Sequence, residues 1–134
     1  MAREIKFRGK VKYPEKGYTL FRNLKEGEWA YGDLHLNAPV PHIHTSHLET
    51  YPIDPETVGQ YIGVNDKNGE EIYEGDFVRY HMHDRFADEA EYQTGRVEFE
   101  GGRFCAKLDK SWLYFGGDFE DYEVIGNVWD NPEL

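Results

Sequence analysis

Asp54–Tyr80 reads DPETVGQYIGVNDKNGEEIYEGDFVRY, and this stretch decides the fold that the sequence predicts. Tyr61–Val64 has the aromatic and β-branched composition of a strand. The dipeptide Asn68-Gly69 is typical of tight hairpin turns, because both residues tolerate a positive φ. Strand-forming residues resume at Ile72, and Glu74-Gly75-Asp76 predicts a bulge or second turn. The stretch therefore predicts a β-rich scaffold with no recognisable active site.

A short helical turn precedes this hairpin. Asp54 can accept hydrogen bonds from the first free backbone N–H groups, and Pro55 suits the first helical position. We expect Gly59 to end the turn in a left-handed conformation after one or two turns of helix.

The spacing of Asp66, Asn68 and Glu70 is also that of three ligands in a calcium-binding EF-hand loop. The glycine at position 69 comes too early for that motif, and Phe77 stands where the final glutamate should be. The spacing is thus better interpreted as a plain hairpin turn.

Composition narrows the class of protein. The 134 residues fit one domain or two small lobes, and the 16% aromatic content favours β structure. A net charge of −11 argues against a general nucleic-acid binder, although residues 1–12 alone sum to +4. The single cysteine, Cys105, excludes an internal disulfide and fits a reducing cytoplasm. No apolar run has the length of a membrane span, so we expect a soluble, cytoplasmic protein.

Alternation of apolar and polar residues extends the strand prediction along the chain. In residues 4–11, Ile5, Phe7 and Val11 share one face and the cations share the other. Residues 29–36 alternate in the same way, and His42–Leu48 is interpreted as a short edge strand after Pro39 and Pro41. Residues 81–95 are interpreted as a mobile loop, with a helical turn at residues 86–92.

The C-terminal part repeats short strands separated by glycine turns. With Phe77–Tyr80 as the first, five strands are expected, the number in a small SH3-like barrel. The predicted fold is mainly β, or β-rich α+β, with N-terminal strands, one helical turn and this barrel. Residues 1–53 form the N-terminal β segment, and residues 54–134 form the central hairpin and barrel, sharing one core with it.

The histidines are the candidate metal ligands. His42 and His44, with His47 nearby, and His81 and His83, with Asp84, place pairs of imidazoles at a spacing of two residues. Zinc accepts nitrogen and oxygen ligands of this kind. Neither pair matches a known motif, and histidine is common in exposed loops. No metal ligand is assigned, and whether the two pairs bind metal stays open.

Other reactive side chains have plainer interpretations. Cys105 lies between strand residues and lacks an evident base. The acidic residues Asp118, Glu120, Asp121 and Glu123 suit either a cation or the mimicry of phosphates, but a solvated turn is the simpler interpretation. Trp29, Trp112 and Trp129 are candidate anchors for a partner or members of the core. Hence no catalytic or cofactor-binding residue is predicted.

Four segments resemble the YopX family, whose members are small proteins encoded mainly by phages and prophages. The segments are REIKFRG at the start, WAYGDL at Trp29–Leu34, PETVGQYIGVNDKNGEEIYEGDFV at Pro55–Val78, and YEVIGNVWDNPEL at Tyr122–Leu134. They cover roughly half of the chain in family order. The resemblance implies a mostly β fold and a phage-related origin, but it implies no reaction and no functional residues.

Two hypotheses about function follow. The first is a non-enzymatic accessory or interaction protein in the bacterial cytoplasm, with a host or phage protein as partner and possible homo-oligomerisation. The second is a nucleic-acid-related regulator, acting through the basic N-terminal strand or as an acidic mimic of DNA. A metal-dependent enzyme is the third interpretation.

Overall fold

The structure is a computed structural model that describes residues 4–14, 22–36, 39–82, 91–108, 111–116 and 120–134. The chain divides into two compact units, unit 1 (Met1–Tyr61) and unit 2 (Ile62–Leu134). Its strands form two antiparallel sheets, which confirms the mainly β prediction. The predicted boundary between an N-terminal segment (residues 1–53) and a C-terminal part (residues 54–134) stays a prediction.

Within the described residues, unit 1 shows four strands and the start of a fifth. They are β1 (Phe7–Lys10), β2 (Trp29–His35), β3 (His42–His44), β4 (Thr50–Pro52) and β5 (Gly59–Asn65). Their order in the sheet is β4-β3-β2-β1-β5. β3 thus pairs with β2 on one side and β4 on the other, so its prediction as an edge strand was wrong. The true edge, β4, was not predicted, because its three residues are too few to show alternation.

One face of this sheet packs into the core of unit 1. The buried residues of this core are Val11, Tyr13, Ala30, Ile43, Tyr51 and Ile53. Phe7 packs against it as the alternation predicts. Two other assignments in the first strand were wrong, since Arg8 is only 6% exposed and Ile5 is 61% exposed. Arg8 is buried because β1 is an internal strand, where its guanidinium lies 4.5 Å from the centre of the Trp29 ring, whereas Ile5 precedes β1.

The capped turn before β5 forms as a single short 3-10 helix, Pro55–Thr57. As predicted, Asp54 Oδ1 accepts a hydrogen bond from the Glu56 N–H at 3.1 Å. The left-handed conformation expected for Gly59 was wrong. Val58 is already extended, with φ −66° and ψ 128°, so the chain enters β5 directly and Gly59 is its first residue.

Unit 2 begins with the second half of β5 and continues through six more strands. They are β6 (Glu71–Tyr73), β7 (Asp76–Met82), β8 (Glu91–Glu100), β9 (Arg103–Lys107), β10 (Trp112–Tyr114) and β11 (Tyr122–Asn127). β6 lies next to β5, and the others form a curled five-stranded sheet in the order β10-β9-β8-β7-β11. The predicted number of five strands is confirmed.

The prediction of a loop at residues 81–95 was wrong at both ends. His81 and Met82 belong to β7, and residues 91–95 belong to β8, in register with β7. The helical turn expected at residues 86–92 was wrong at its end, because Tyr92 pairs with His81. Its remaining part lies outside the described residues. Alternation in residues 91–95 was too weak to reveal a strand, although pairing with β7 stabilises one.

The turn after β5 is organised by a buried carboxylate. Asp66 is fully buried. Its Oδ1 accepts hydrogen bonds from the N–H groups of Asn68 and Glu70 at 2.8 and 2.9 Å, and its Oδ2 accepts from Val124 N–H at 2.9 Å. The same side chain therefore shapes the hairpin and fastens it to β11. The hairpin interpretation is confirmed, with Gly69 at φ 82°.

Candidate functional site

The described histidines of the two sequence pairs belong to different compact units. His42 and His44 lie on β3 in unit 1, whereas His81 lies on β7 in unit 2. His83 and Asp84 lie outside the described residues. Within the described ranges, no three His, Cys, Asp or Glu side chains are already arranged as the ligands of a metal ion.

A different group of side chains comes together on one face of unit 1. The register of β2 and β3 places Asp33 opposite His44 and His35 opposite His42. We call these four residues the histidine face. The rings of His35 and His44 are stacked, with centroids 3.7 Å apart and an interplanar angle of 16°. His42 Nδ1 lies 2.9 Å from the carbonyl oxygen of Val40.

His35 was missed as a partner of His42 and His44. The alternation of residues 29–36 places Asp33 and His35 on one strand face, but it carries no information about the neighbouring strand. His47, which sequence reasoning grouped with them, lies instead in the loop between β3 and β4.

That loop borders a cleft of about 290 Å³ in unit 1. Its wall includes the aromatic rings of Trp29, Tyr31 and Tyr51 and the polar side chains of His47 and Glu49. Next to them, Leu48 is 97% exposed and has a positive φ of 61°. An exposed leucine in this backbone conformation is uncommon, which makes the loop a candidate functional surface.

Two exposed aromatic residues of unit 2 lie on an edge strand. Trp112 and Tyr114 on β10 are 39% and 48% exposed. Arg103 lies 3.5 Å from the centre of the Tyr114 ring, and Lys107 lies 5.7 Å from that of Trp112. These four side chains, which we call the β10 edge, give an aromatic surface with two cations at the end of the described sheet.

Cys105 is buried beneath this surface. Its side chain lines a cleft of about 220 Å³ together with Arg103, Trp112 and Tyr114. Burial, followed by the charges of Glu100 and Glu98, raises the pKa of the Cys105 thiol. The thiolate, which is the nucleophilic form, is therefore disfavoured at neutral pH.

Among the described acidic residues near the C-terminus, Glu123 forms ion pairs with two cations. The Glu123 carboxylate lies 2.9 Å from Arg79 Nη2 and 3.6 Å from Lys67 Nζ. Glu120 and Asp121 are exposed, and Asp118 lies outside the described residues. The hydrogen bond from Arg79 holds the pKa of Glu123 below its usual range, and the charge of Lys67 adds to this effect.

This ion pair predicts a pH dependence. Because the pKa of Glu123 is depressed in the folded state, its contribution is present above the unfolded-state value and is lost as pH falls through the folded-state value. At pH 7 we expect Glu123→Gln to lower the unfolding free energy by less than about 1 kcal/mol, since the pair is partly exposed. Urea denaturation of the wild type and of Glu123→Gln at pH 7 and pH 3 measures the difference between their unfolding free energies. A difference that persists at pH 3 would contradict this account.

The basic N-terminal strand is largely engaged within unit 1. Lys6 Nζ lies 3.4 Å from Glu4 Oε1 and 5.6 Å from the centre of the Tyr61 ring. Lys10 Nζ lies 5.4 Å from the centre of the Trp29 ring, on which the buried Arg8 also stacks. The cations of β1 therefore do not form an open phosphate-binding surface.

This chain matches a known protein family. The family model described as YopX protein matches residues 6–134, nearly the whole chain. The chain belongs to the YopX family. The resemblance carried by the four sequence segments is thereby confirmed. None of the curated proteins matches this chain.

A solved structure from another protein is among those similar to this YopX-family chain. It is the crystal structure of protein EF1440 from Enterococcus faecalis, with 21% sequence identity. The alignment covers 99% of each chain with a TM-score of 0.45. Across the described ranges, no helix is long and apolar enough to cross a membrane.

Proposed function

We propose that this YopX-family chain is a non-enzymatic interaction protein encoded by a phage or prophage, acting in the bacterial cytoplasm through a protein partner. The observation that carries the proposal is the β10 edge. An edge strand offers backbone N–H and C=O groups on which a segment of another chain can add a strand. We further propose that the curled sheet of unit 2 is an SH3-like barrel.

The side chains of the β10 edge suit protein recognition. Trp and Tyr dominate the energetics of protein interfaces because they bury large apolar surfaces and retain a polar group. Trp112 and Tyr114 are 39% and 48% exposed, so each has further area to bury. Arg103 and Lys107 lie over their rings, where a cation is attracted to the electron-rich ring face.

Charge defines the partner further. Residues 62–134 contain seven Lys and Arg against 18 Asp and Glu, whereas residues 1–61 contain eight of each. Within the acidic unit 2, the β10 edge presents the cations of Arg103 and Lys107. We therefore expect the partner to contribute an extended segment with acidic side chains.

The nucleic-acid alternative has less support. Its first form requires an open basic strand, but Arg8 is 6% exposed, and Lys6 and Lys10 lie against aromatic rings. Its second form, mimicry of DNA, is favoured by one observation, namely that the whole net charge of −11 arises in residues 62–134. Competition with DNA for the captured partner would distinguish mimicry from strand addition.

A capture experiment tests the proposal. The tagged full chain is expressed in bacteria that carry the related prophage, and partners are recovered after nuclease treatment and identified by mass spectrometry. We expect one stoichiometric protein. Trp112→Ala combined with Tyr114→Ala should reduce its recovery at least about tenfold, because both anchors are removed.

Phe99→Ala is the matched control, since Phe99 is 57% exposed and neighbouring residues of a strand face opposite sides. Glu98 on β8 is opposite Cys105 on β9, and Cys105 is opposite Tyr114 on β10, so these three residues lie on one face of the sheet. Phe99 is the neighbour of Glu98 in β8 and therefore lies on the other face. Equal recovery by the wild type and the double variant, or recovery of no stoichiometric partner, would overturn the proposal. Light scattering of the purified chain shows whether the captured partner is a second copy.

A further inference from the structure

The histidine face carries an inference that is independent of the β10 edge. We propose that His35, His42 and His44 bind one divalent transition-metal ion of the Zn²⁺ type, with the Asp33 carboxylate as fourth ligand. Imidazole nitrogens and a carboxylate oxygen are ligands that Zn²⁺ accepts, and four of them complete its tetrahedral coordination.

The strand register brings these ligands within reach of one ion. His42 and His44 are two residues apart on β3 and therefore project from the same face. His35 lies opposite His42, and Asp33 lies opposite His44. Directly opposite residues have Cβ atoms about 5 Å apart, so the four side chains start from the corners of a compact quadrilateral. Each imidazole extends far enough from its Cβ to place a nitrogen about 2 Å from an ion above the centre.

The hydrogen bond of His42 prepares this ring for coordination. Its Nδ1 lies 2.9 Å from the Val40 carbonyl oxygen, which can only accept a hydrogen bond. Nδ1 therefore carries the proton, and the lone pair of the neutral ring is on Nε2. A backbone carbonyl that fixes the tautomer in this way is a common partner of metal-ligating histidine.

Binding requires one rearrangement. The rings of His35 and His44 stack at 3.7 Å, and the lone pairs of stacked rings lie in parallel planes and do not converge. Consistent with this, no group of three or more described His, Cys, Asp or Glu side chains could hold a metal ion as they are now placed. His44 and Asp33 are exposed and His35 is partly exposed, so their side chains can rotate without disturbing the core. The metal would thus convert a stacked pair into two splayed ligands.

Titration calorimetry of the tag-free, chelator-treated full chain with ZnCl₂ tests this proposal. At pH 7.5, in a buffer that does not coordinate metal, we expect a saturable isotherm with one ion per chain. Lowering the pH to 5.5 should weaken binding, because protons compete for imidazole nitrogens. His35→Ala and His44→Ala should each weaken binding at least about tenfold, and the double variant should abolish it.

His47→Ala is the matched control, because His47 is exposed and lies in the loop beyond β3. Its affinity should equal that of the wild type. His35→Gln, which retains the size of the side chain, replaces His35→Ala if the alanine variant has an altered circular dichroism spectrum. Absence of saturable binding, or one-to-one binding that survives in the double variant, would overturn the proposal. Neither result affects the capture experiment, whose substitutions lie in unit 2.

Discussion

Asp66→Asn is expected to lower the free energy of unfolding by about 3 kcal/mol, because one buried carboxylate accepts three backbone hydrogen bonds. The bonds come from Asn68, Glu70 and Val124 at 2.8 to 2.9 Å. The amide in the variant has the same shape, but its NH₂ group cannot accept a hydrogen bond and would face a backbone N–H donor. At least one of the buried backbone N–H donors is then left without an acceptor. The remaining hydrogen bonds no longer have a charged acceptor.

Chemical denaturation measures this change, and a lowering of Tm by about 10 °C should accompany it for a chain of this size. Glu120→Gln is the control, because it also removes one negative charge but is exposed at the surface. We expect its effect to stay within about 0.5 kcal/mol. If Asp66→Asn were as mild as this control, the hydrogen bonds of Asp66 would not stabilise unit 2 as described.

Gly75→Ala is expected to cost about 3 kcal/mol, the second large effect. Gly75 has a φ of 89°, a conformation that L-residues with a Cβ adopt at a cost of about 1–2 kcal/mol. A Cβ at this position would also lie only 2.3 Å from Cη2 of the Trp129 ring. Forcing the ring away adds an overpacking cost of about 1–3 kcal/mol.

Two further variants separate these causes. Gly102 has a similar φ of 84°, but nothing lies within 4 Å of a Cβ built on it. Gly102→Ala therefore reports the backbone cost alone and should be the milder variant. Trp129→Ala in the Gly75→Ala background removes the clash, so the two substitutions should cost less together than the sum of their separate effects. Strict additivity in urea denaturation would show that the ring does not cause the loss.

Features set by neighbouring residues were predictable from the sequence. Of the dipeptide Asn68-Gly69, Gly69 has the expected positive φ and Asn68 does not, and the Gly101-Gly102 turn has φ values of 62° and 84°. The cap by Asp54 was also predictable, since its donor is only two residues away. Each of these depends on short-range chemistry that a sequence displays directly.

Features set by residues far apart in the sequence were not predictable from it. The burial of Arg8 depends on where β1 lies in the sheet, and the internal position of β3 depends on a third strand that is too short to recognise. The histidine face is the clearest example. His42 and His44 were found from their spacing, but His35 joins them only through the pairing of β2 with β3. That register is set by packing and turn geometry, and spacing along one strand does not contain it.

The burial of Cys105 has a practical consequence. It is the only thiol in the chain and is 1% exposed, so a thiol-specific reagent reaches it only when the side chains or strands that cover it move. The rate of its modification under native conditions therefore reports the opening equilibrium around β9, in the manner of amide hydrogen exchange but at one chosen position. The protein thus contains a built-in probe with which the proposed docking of a partner on β10 can be tested without any introduced label.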